Sequence, residues 1–163
     1  SVRIVEKRDT RFEVCFCLHA FGVWRIILCE SGTGYGQRGN QDSRWLVEGA
    51  YDEVAQLIFG RTHVQRLLLE YDDARSGGFE ALRQVPDDKI VVLGLVTTKT
   101  GRLEPARELI ERVREASRFF PLKQLAISPQ CGFASSVVGN RLTAQDQRRK
   151  LRLVADTATA VWG

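Results

Sequence analysis

Three short apolar runs, "VQRLLLEY", "KIVVLGLV" and "LKQLAIS", alternate along the chain with segments of helical periodicity, and this alternation limits the folds available. The middle run has no polar side to offer water, so it reads as a strand covered on both faces. Strands of that kind, separated by helices and short connections, cannot close as hairpins. They require a parallel sheet with crossover helices, hence an α/β fold.

The intervening segments supply the helices. "VEGAYDEVAQLIFG" places Ala50, Val54, Leu57 and Ile58 on one face, and Gly60 is expected to end that helix. "FEALRQV" reads as a short helical turn. After Pro105, which suits a first helical turn, Leu109, Ile110, Val113, Ala116 and Phe120 recur at helical spacing and predict about four turns. A final helix opens with Thr143 and Asp146 in a capping-box-like arrangement and is expected to bury Leu151, Val154, Ala155, Ala158 and Trp162. The third strand is expected to break at Pro129. Upstream the pattern weakens: "WRIILCE" resembles one more strand, "SGTGYGQRGN" a glycine-rich loop, and "RFEVCFCLHAF" fits helix or strand equally.

Composition removes several function classes. With 163 residues, 44% hydrophobic and 27% charged, the chain is long enough for one core and has the balance of an ordinary globular protein. No run approaches the roughly eighteen apolar residues of a membrane span. The net charge of +4 is spread among acidic residues, as in "ELIERVREASR", which describes a solvated helix face and not a nucleic-acid stripe. Four cysteines (Cys15, Cys17, Cys29, Cys131) are too few for a disulfide framework in a chain of this size and lead us to expect a reducing, cytoplasmic setting. The sequence begins at Ser1 and contains no Met, so we expect a piece of something longer.

In a parallel α/β sheet, chemistry collects at the carboxyl ends of the strands. The first run ends in Glu70, Asp72 and Asp73, the second in Thr97, Thr98 and Lys99, and the third in Ser128, Gln130 and Cys131. Taken singly, Cys131 is a packed thiol, Glu70 a salt-bridge partner and Lys99 a solvated loop lysine. A carboxylate, an amine and a thiol on one rim argue together for more than packing.

The stretches "LLLEYDD", "KIVVLGLVTTK", "LEPARELIERVREASRFFPLKQLAISPQCGFAS" and "TAQDQRRKLRLVADTATAVWG" together resemble the carboxyl-terminal half of the cobalamin-independent methionine synthase family, in particular its shorter single-barrel bacterial and archaeal branch. The resemblance covers about residues 38–163. It implies a (β/α)8 barrel of the TIM type, of which this chain would form about the carboxyl-terminal half, with residues 1–37 a divergent segment. It also implies a zinc ion at the strand ends and methyl transfer from a methyl-folate to the thiol of homocysteine, zinc favouring the thiolate that acts as nucleophile. Carried over residue by residue, Glu70 matches the glutamate ligand and Cys131 the cysteine of a "PxCG"-like motif. Lys99 falls where full-length members carry a catalytic histidine that donates a proton.

The departure lies upstream. Aligning "RGNQDSRWLVEGAYDEV" with the family puts its H-x-C ligand pair at Tyr35, Gly36 and Gln37, and neither Tyr nor Gln is a good zinc ligand. Cys29 is an alternative third ligand if the loop shifts, and Cys15, Cys17 and His19 alternate so as to point one way from a strand. The segment before Arg38 also fits a rearranged or frame-shifted remnant. A half barrel leaves two sheet edges open, so either a homo-oligomer or a missing amino-terminal half is expected to close it. Two further readings accompany the main one: alkyl transfer to another thiol such as coenzyme M, and a catalytically inactive half barrel serving as an oligomeric or partner-binding module.

Overall fold

A computed structural model describes residues 40–41, 44–45, 51–52, 55, 59–60, 65–130, 133 and 141–163. Its centre is a three-stranded parallel sheet of β3 (Arg66–Glu70), β4 (Ile90–Val96) and β5 (Leu125–Pro129), in the spatial order β3-β4-β5. A two-residue antiparallel pair, β1 (Asn40–Gln41) and β2 (Arg44–Trp45), precedes it. Two α-helices follow β4 and β5 in the chain: α1 (Ala106–Ala116) and α2 (Ala144–Trp162). Among the described residues, no helix is long and apolar enough to cross a membrane.

The sheet forms where the apolar runs predict it. In β4 every residue from Val91 to Val96 is buried, as a strand covered on both faces must be, and only Ile90 at its start is exposed. Arg66 pairs with Ile90 and Glu70 with Gly94; Val91 pairs with Leu125 and Gly94 with Ser128. The β4–β5 register shifts between Gly94 and Val96, a bulge that brings Pro129 opposite Val96. Bulges of this kind sharpen the twist and re-aim side chains near strand ends. Pro129 is thus the last residue of its strand, not the break before it.

Beneath the strands Leu67, Leu69, Val91, Leu93 and Leu95 join Leu109, Val113, Val154 and Ala158 in one apolar cluster. An aromatic group extends it: Tyr71 lies 5.2 Å from Tyr51 and 4.6 Å from Phe79, centroid to centroid, at the tilted angles such pairs prefer. Residues Ala55, Phe59 and Gly60 are helical.

Two helical expectations need correction. The segment after Pro105 makes 11 helical residues, about three turns and not four. Phe120 is buried, but it lies in a turn, where Phe119 and Phe120 both donate to the Ala116 carbonyl. Pro121 explains the stop, because the residue before a proline is driven out of helical conformation. In α2 the capping box of Thr143 and Asp146 forms as predicted. The buried stripe, however, is Lys150, Val154, Thr157 and Ala158, while Ala155 is exposed and Leu151 half-buried. A lysine sits in that stripe because Glu104 receives its charge, a pairing that apolar periodicity cannot register.

Candidate functional site

The carboxyl ends of the three strands place four polar side chains in an unbroken hydrogen-bonded line. Glu70 ends β3, and its Oε2 accepts from Gln130 Nε2 at 2.9 Å. Gln130 follows β5, and its Oε1 accepts from Lys99 Nζ at 2.5 Å. Lys99, in the loop after β4, also donates to Asp72 Oδ2 at 2.6 Å. The order is carboxylate, carboxamide, ammonium, carboxylate, so each group meets one of opposite polarity.

The line is buried. Lys99 is 8% and Gln130 6% exposed, and the Asp72 side chain is 1% exposed. Lys99 is therefore not a solvated loop lysine. A buried ammonium without a partner would cost several kcal/mol, and Asp72 supplies the partner.

Backbone geometry makes this closeness possible. Gly94 sits in β4 between Glu70 and Ser128. A Cβ built there would stand 3.1 Å from the Leu69 carbonyl oxygen, 3.4 Å from Gln130 Cα and 3.6 Å from Glu70 Cα. Glycine in a strand interior often marks such an approach of neighbouring backbone. The Gln130 N–H donates to the Val96 carbonyl at 2.8 Å, and the Glu70 N–H donates to Tyr51 Oη at 2.9 Å. Both ends of the Glu70–Gln130 contact are thus anchored through main chain.

Two further contacts set the surroundings. Arg112, from α1, donates to the Tyr71 carbonyl and lies over the Phe79 ring. Burial pushes its guanidinium below the ordinary value, while the nearby Glu115, Asp72 and Asp73 carboxylates act in the opposite sense. On the other side, Glu104 Oε1 accepts from the Thr97 N–H at 2.9 Å, and fully buried Lys150 donates to Glu104 Oε2 at 3.0 Å and to the Arg102 carbonyl at 2.5 Å. The loop bearing Lys99 is therefore tied to α2, and Lys99 N–H donates within it to Thr97 Oγ1 at 3.3 Å.

Of the sequence-derived candidates, Glu70 and Lys99 come to the same rim, joined through Gln130. Cys131, Cys29, Tyr35, Gln37, Cys15, Cys17 and His19 lie outside the described residues. Among the described residues, no group of three His, Cys, Asp or Glu is placed to hold a metal ion. Sequence reasoning noted Asp72 and Gln130 as strand-end residues but gave them no part. A polar side chain directly after a buried strand was the available signal for Gln130, and a lone glycine inside "IVVLGLV" was the signal for Gly94.

Residues 59–159 match the family described as cobalamin-independent synthase, catalytic domain. Two Bacillus subtilis proteins of uncharacterised function, YxjG and YxjH, are 52% and 50% identical over 126 residues, 77% of this chain. The chain spans only 33% of the length of each. Among solved structures, a Listeria monocytogenes protein described as a candidate vitamin-B12-independent methionine synthase is similar with a TM-score of 0.56 at 36% identity, over 71% of this chain and 33% of that one. A B12-independent methionine synthase from a Shewanella species, solved with selenomethionine, shares the fold with a TM-score of 0.57 at 24% identity, over 68% and 30% of the two chains.

Proposed function

Because the chain belongs to the cobalamin-independent methionine synthase family, we propose that it forms the thiol-activating part of a zinc-dependent methyltransferase, moving a methyl group from a methyl-folate to homocysteine. The observation that carries this reading is the hydrogen-bonded line Glu70–Gln130–Lys99–Asp72 at the strand ends, inside the segment that matches the family. In this reading residues 38–163 are the carboxyl-terminal half of a (β/α)8 barrel, residues 1–37 are a divergent segment, and the rest of a longer protein or a second copy closes the sheet. The setting proposed is cytoplasmic.

A carboxylate and a thiolate are both zinc-ligand types, so Glu70 and Cys131 fit the metal as far as they go. They are two donors of the four a tetrahedral site takes, and the remaining donors come from outside this pair, Cys29 being one candidate. When bound, zinc would supply Lewis acidity that holds the acceptor sulfur as thiolate. The chain's own contribution is positioning. Glu70 presents its carboxylate at the carboxyl end of β3. Lys99 holds a positive charge within the buried rim, where it offsets Asp72 and offers a proton-bearing group beside the reacting centre. Burial excludes water that would otherwise weaken these contacts.

The test is zinc content of the purified chain by elemental analysis, together with methyl transfer from methyl-folate to homocysteine, alone and with the remainder of a full-length relative supplied. Zinc at one per chain, lost in Glu70→Gln and Cys131→Ser, is the expected result. A metal-free chain that stays inactive with the missing part present would overturn the reading and leave an inactive half barrel.

A further inference from the structure

Among the hydrogen bonds of the described residues, Gln130 is the one side chain that reaches both Glu70 and Lys99. We infer that Gln130 is a positioning residue whose carboxamide, clamped between the Lys99 ammonium and the Glu70 carboxylate, fixes the orientation of that carboxylate at the rim. Its consequence for metal affinity rests on Glu70 being a metal ligand, as proposed above.

The clamp has a single sense. An ammonium has three donors and no acceptor, and an ionised carboxylate accepts only. The carboxamide must therefore turn its oxygen to Lys99 and its NH2 to Glu70, as it does at 2.5 and 2.9 Å. A flip would set N–H against ammonium and oxygen against carboxylate, losing both bonds where Lys99 and Gln130 are buried away from water. Asp72 holds the far side of Lys99 at 2.6 Å, so the ammonium is fixed between a carboxylate and the Gln130 amide oxygen. Gln130 itself is 6% exposed, and its backbone N–H is held by Val96 across the bulge.

Alternatives at position 130 fail for stated reasons. Glutamate would set a carboxylate against Glu70, leucine would remove the bonds to both Glu70 and Lys99, and asparagine is one methylene too short to span both. A ligand held by its neighbour in one direction meets a metal with less reorganisation, and loss of such neighbours commonly lowers metal affinity about 10- to 100-fold.

The experiment uses the full 163-residue chain. Zinc affinity is measured by competition with a chromophoric chelator for the wild type, Gln130→Leu and Gln130→Glu. In parallel, the Gln130 side-chain amide is followed by 15N NMR in metal-free wild type and in Glu70→Ala. We expect zinc binding about 10- to 100-fold weaker in both Gln130 variants. We also expect a shifted, exchange-protected Gln130 amide that becomes solvent-like in Glu70→Ala. Equal zinc affinity in wild type and Gln130→Leu overturns the inference while leaving the proposed function standing. A wild type that takes no zinc removes the metal-site reading, and the amide then decides alone: protected signals that depend on Glu70 uphold the orienting role, and solvent-like signals refute it. If neither Gln130 variant folds, the same wild-type and Glu70→Ala comparison settles the matter.

Discussion

Replacing Lys150 by methionine should be among the most damaging single changes in this chain, although no residue of the rim is touched. Lys150 is fully buried, and its ammonium donates to Glu104 Oε2 at 3.0 Å and to the Arg102 carbonyl at 2.5 Å. Methionine keeps the length and apolar stem but removes the charge and the donors. The Glu104 side chain is only 11% exposed, so its carboxylate would be left with the Thr97 N–H as its remaining bond among those described. Breaking a buried ion pair from one side costs about 3 to 5 kcal/mol, because the surviving charge stays desolvated. The partial exposure of Glu104 argues for the lower end, about 3 kcal/mol, or roughly two powers of ten in the folding equilibrium. Equilibrium urea unfolding followed by far-ultraviolet circular dichroism measures it. The Lys150→Met/Glu104→Gln double variant supplies the control: a neutral amide oxygen can still accept from Thr97, so the pair of changes should recover to within about 1 kcal/mol of wild type, a coupling of at least about 2 kcal/mol. A single-variant cost below about 1 kcal/mol, or penalties that simply add in the double variant, would refute the buried-pair argument.

Three further outcomes follow from the same coordinates. Leu93→Ala, at a fully buried position in the middle of β4, should cost about 2 to 5 kcal/mol in the same unfolding assay; a cost under about 1 kcal/mol would mean that the Leu93 face of β4 is not packed as described. Gly94→Val puts branched carbon where a Cβ already meets the Leu69 carbonyl at 3.1 Å, so it should lower stability and abolish protection of the Gln130 side-chain amide, and an unchanged amide signal would count against the close approach. The Asp146 carboxyl is held down to about 2 from 3.8, first by its bond with the Thr143 hydroxyl and then by Arg149 and the Thr143 N–H. A folded-state value below the unfolded one stabilises above pH 3.8 and is lost as pH falls through about 2. Asp146→Asn should therefore flatten the acid titration of helical dichroism across that window, and an unaltered profile would rule out the cap as its source.

How much of this was legible in the sequence depends on which interaction wrote the pattern. Val91 to Val96 announce a doubly covered strand because burial on both faces leaves no polar alternation, and the structure places them so. Thr143 and Asp146 announce a helix start because capping is local, settled within four residues. Lys150 and Lys99 went the other way. Both look like solvated lysines to any local rule, and both are buried because a carboxylate distant in sequence, Glu104 or Asp72, comes to meet them. The rim was foreseeable as a place, since strand ends of one kind face one side. Its wiring was not, because Gln130 carries no charge and shows its role only beside Lys99 and Glu70.

The two buried ammonium groups have related consequences for the rim. Lys150 and Glu104 fix the Thr97 end of the loop from beneath, and Asp72 fixes the Lys99 side chain. Gln130 then transfers that fixed position to Glu70, while Gly94 allows the two backbones to approach. A carboxylate at the tip of β3 is thus set by groups from all three strand ends and, through Glu104, from α2. Such a dependence predicts that damage spreads unevenly: loss of Lys150 should loosen Lys99 more than Glu70, since the Glu70 N–H keeps its own bond to Tyr51. A function that needs Glu70 in one direction is better protected against changes at α2 than one that needs the Lys99 ammonium in place, and comparing zinc affinity with methyl transfer in Lys150→Met separates the two.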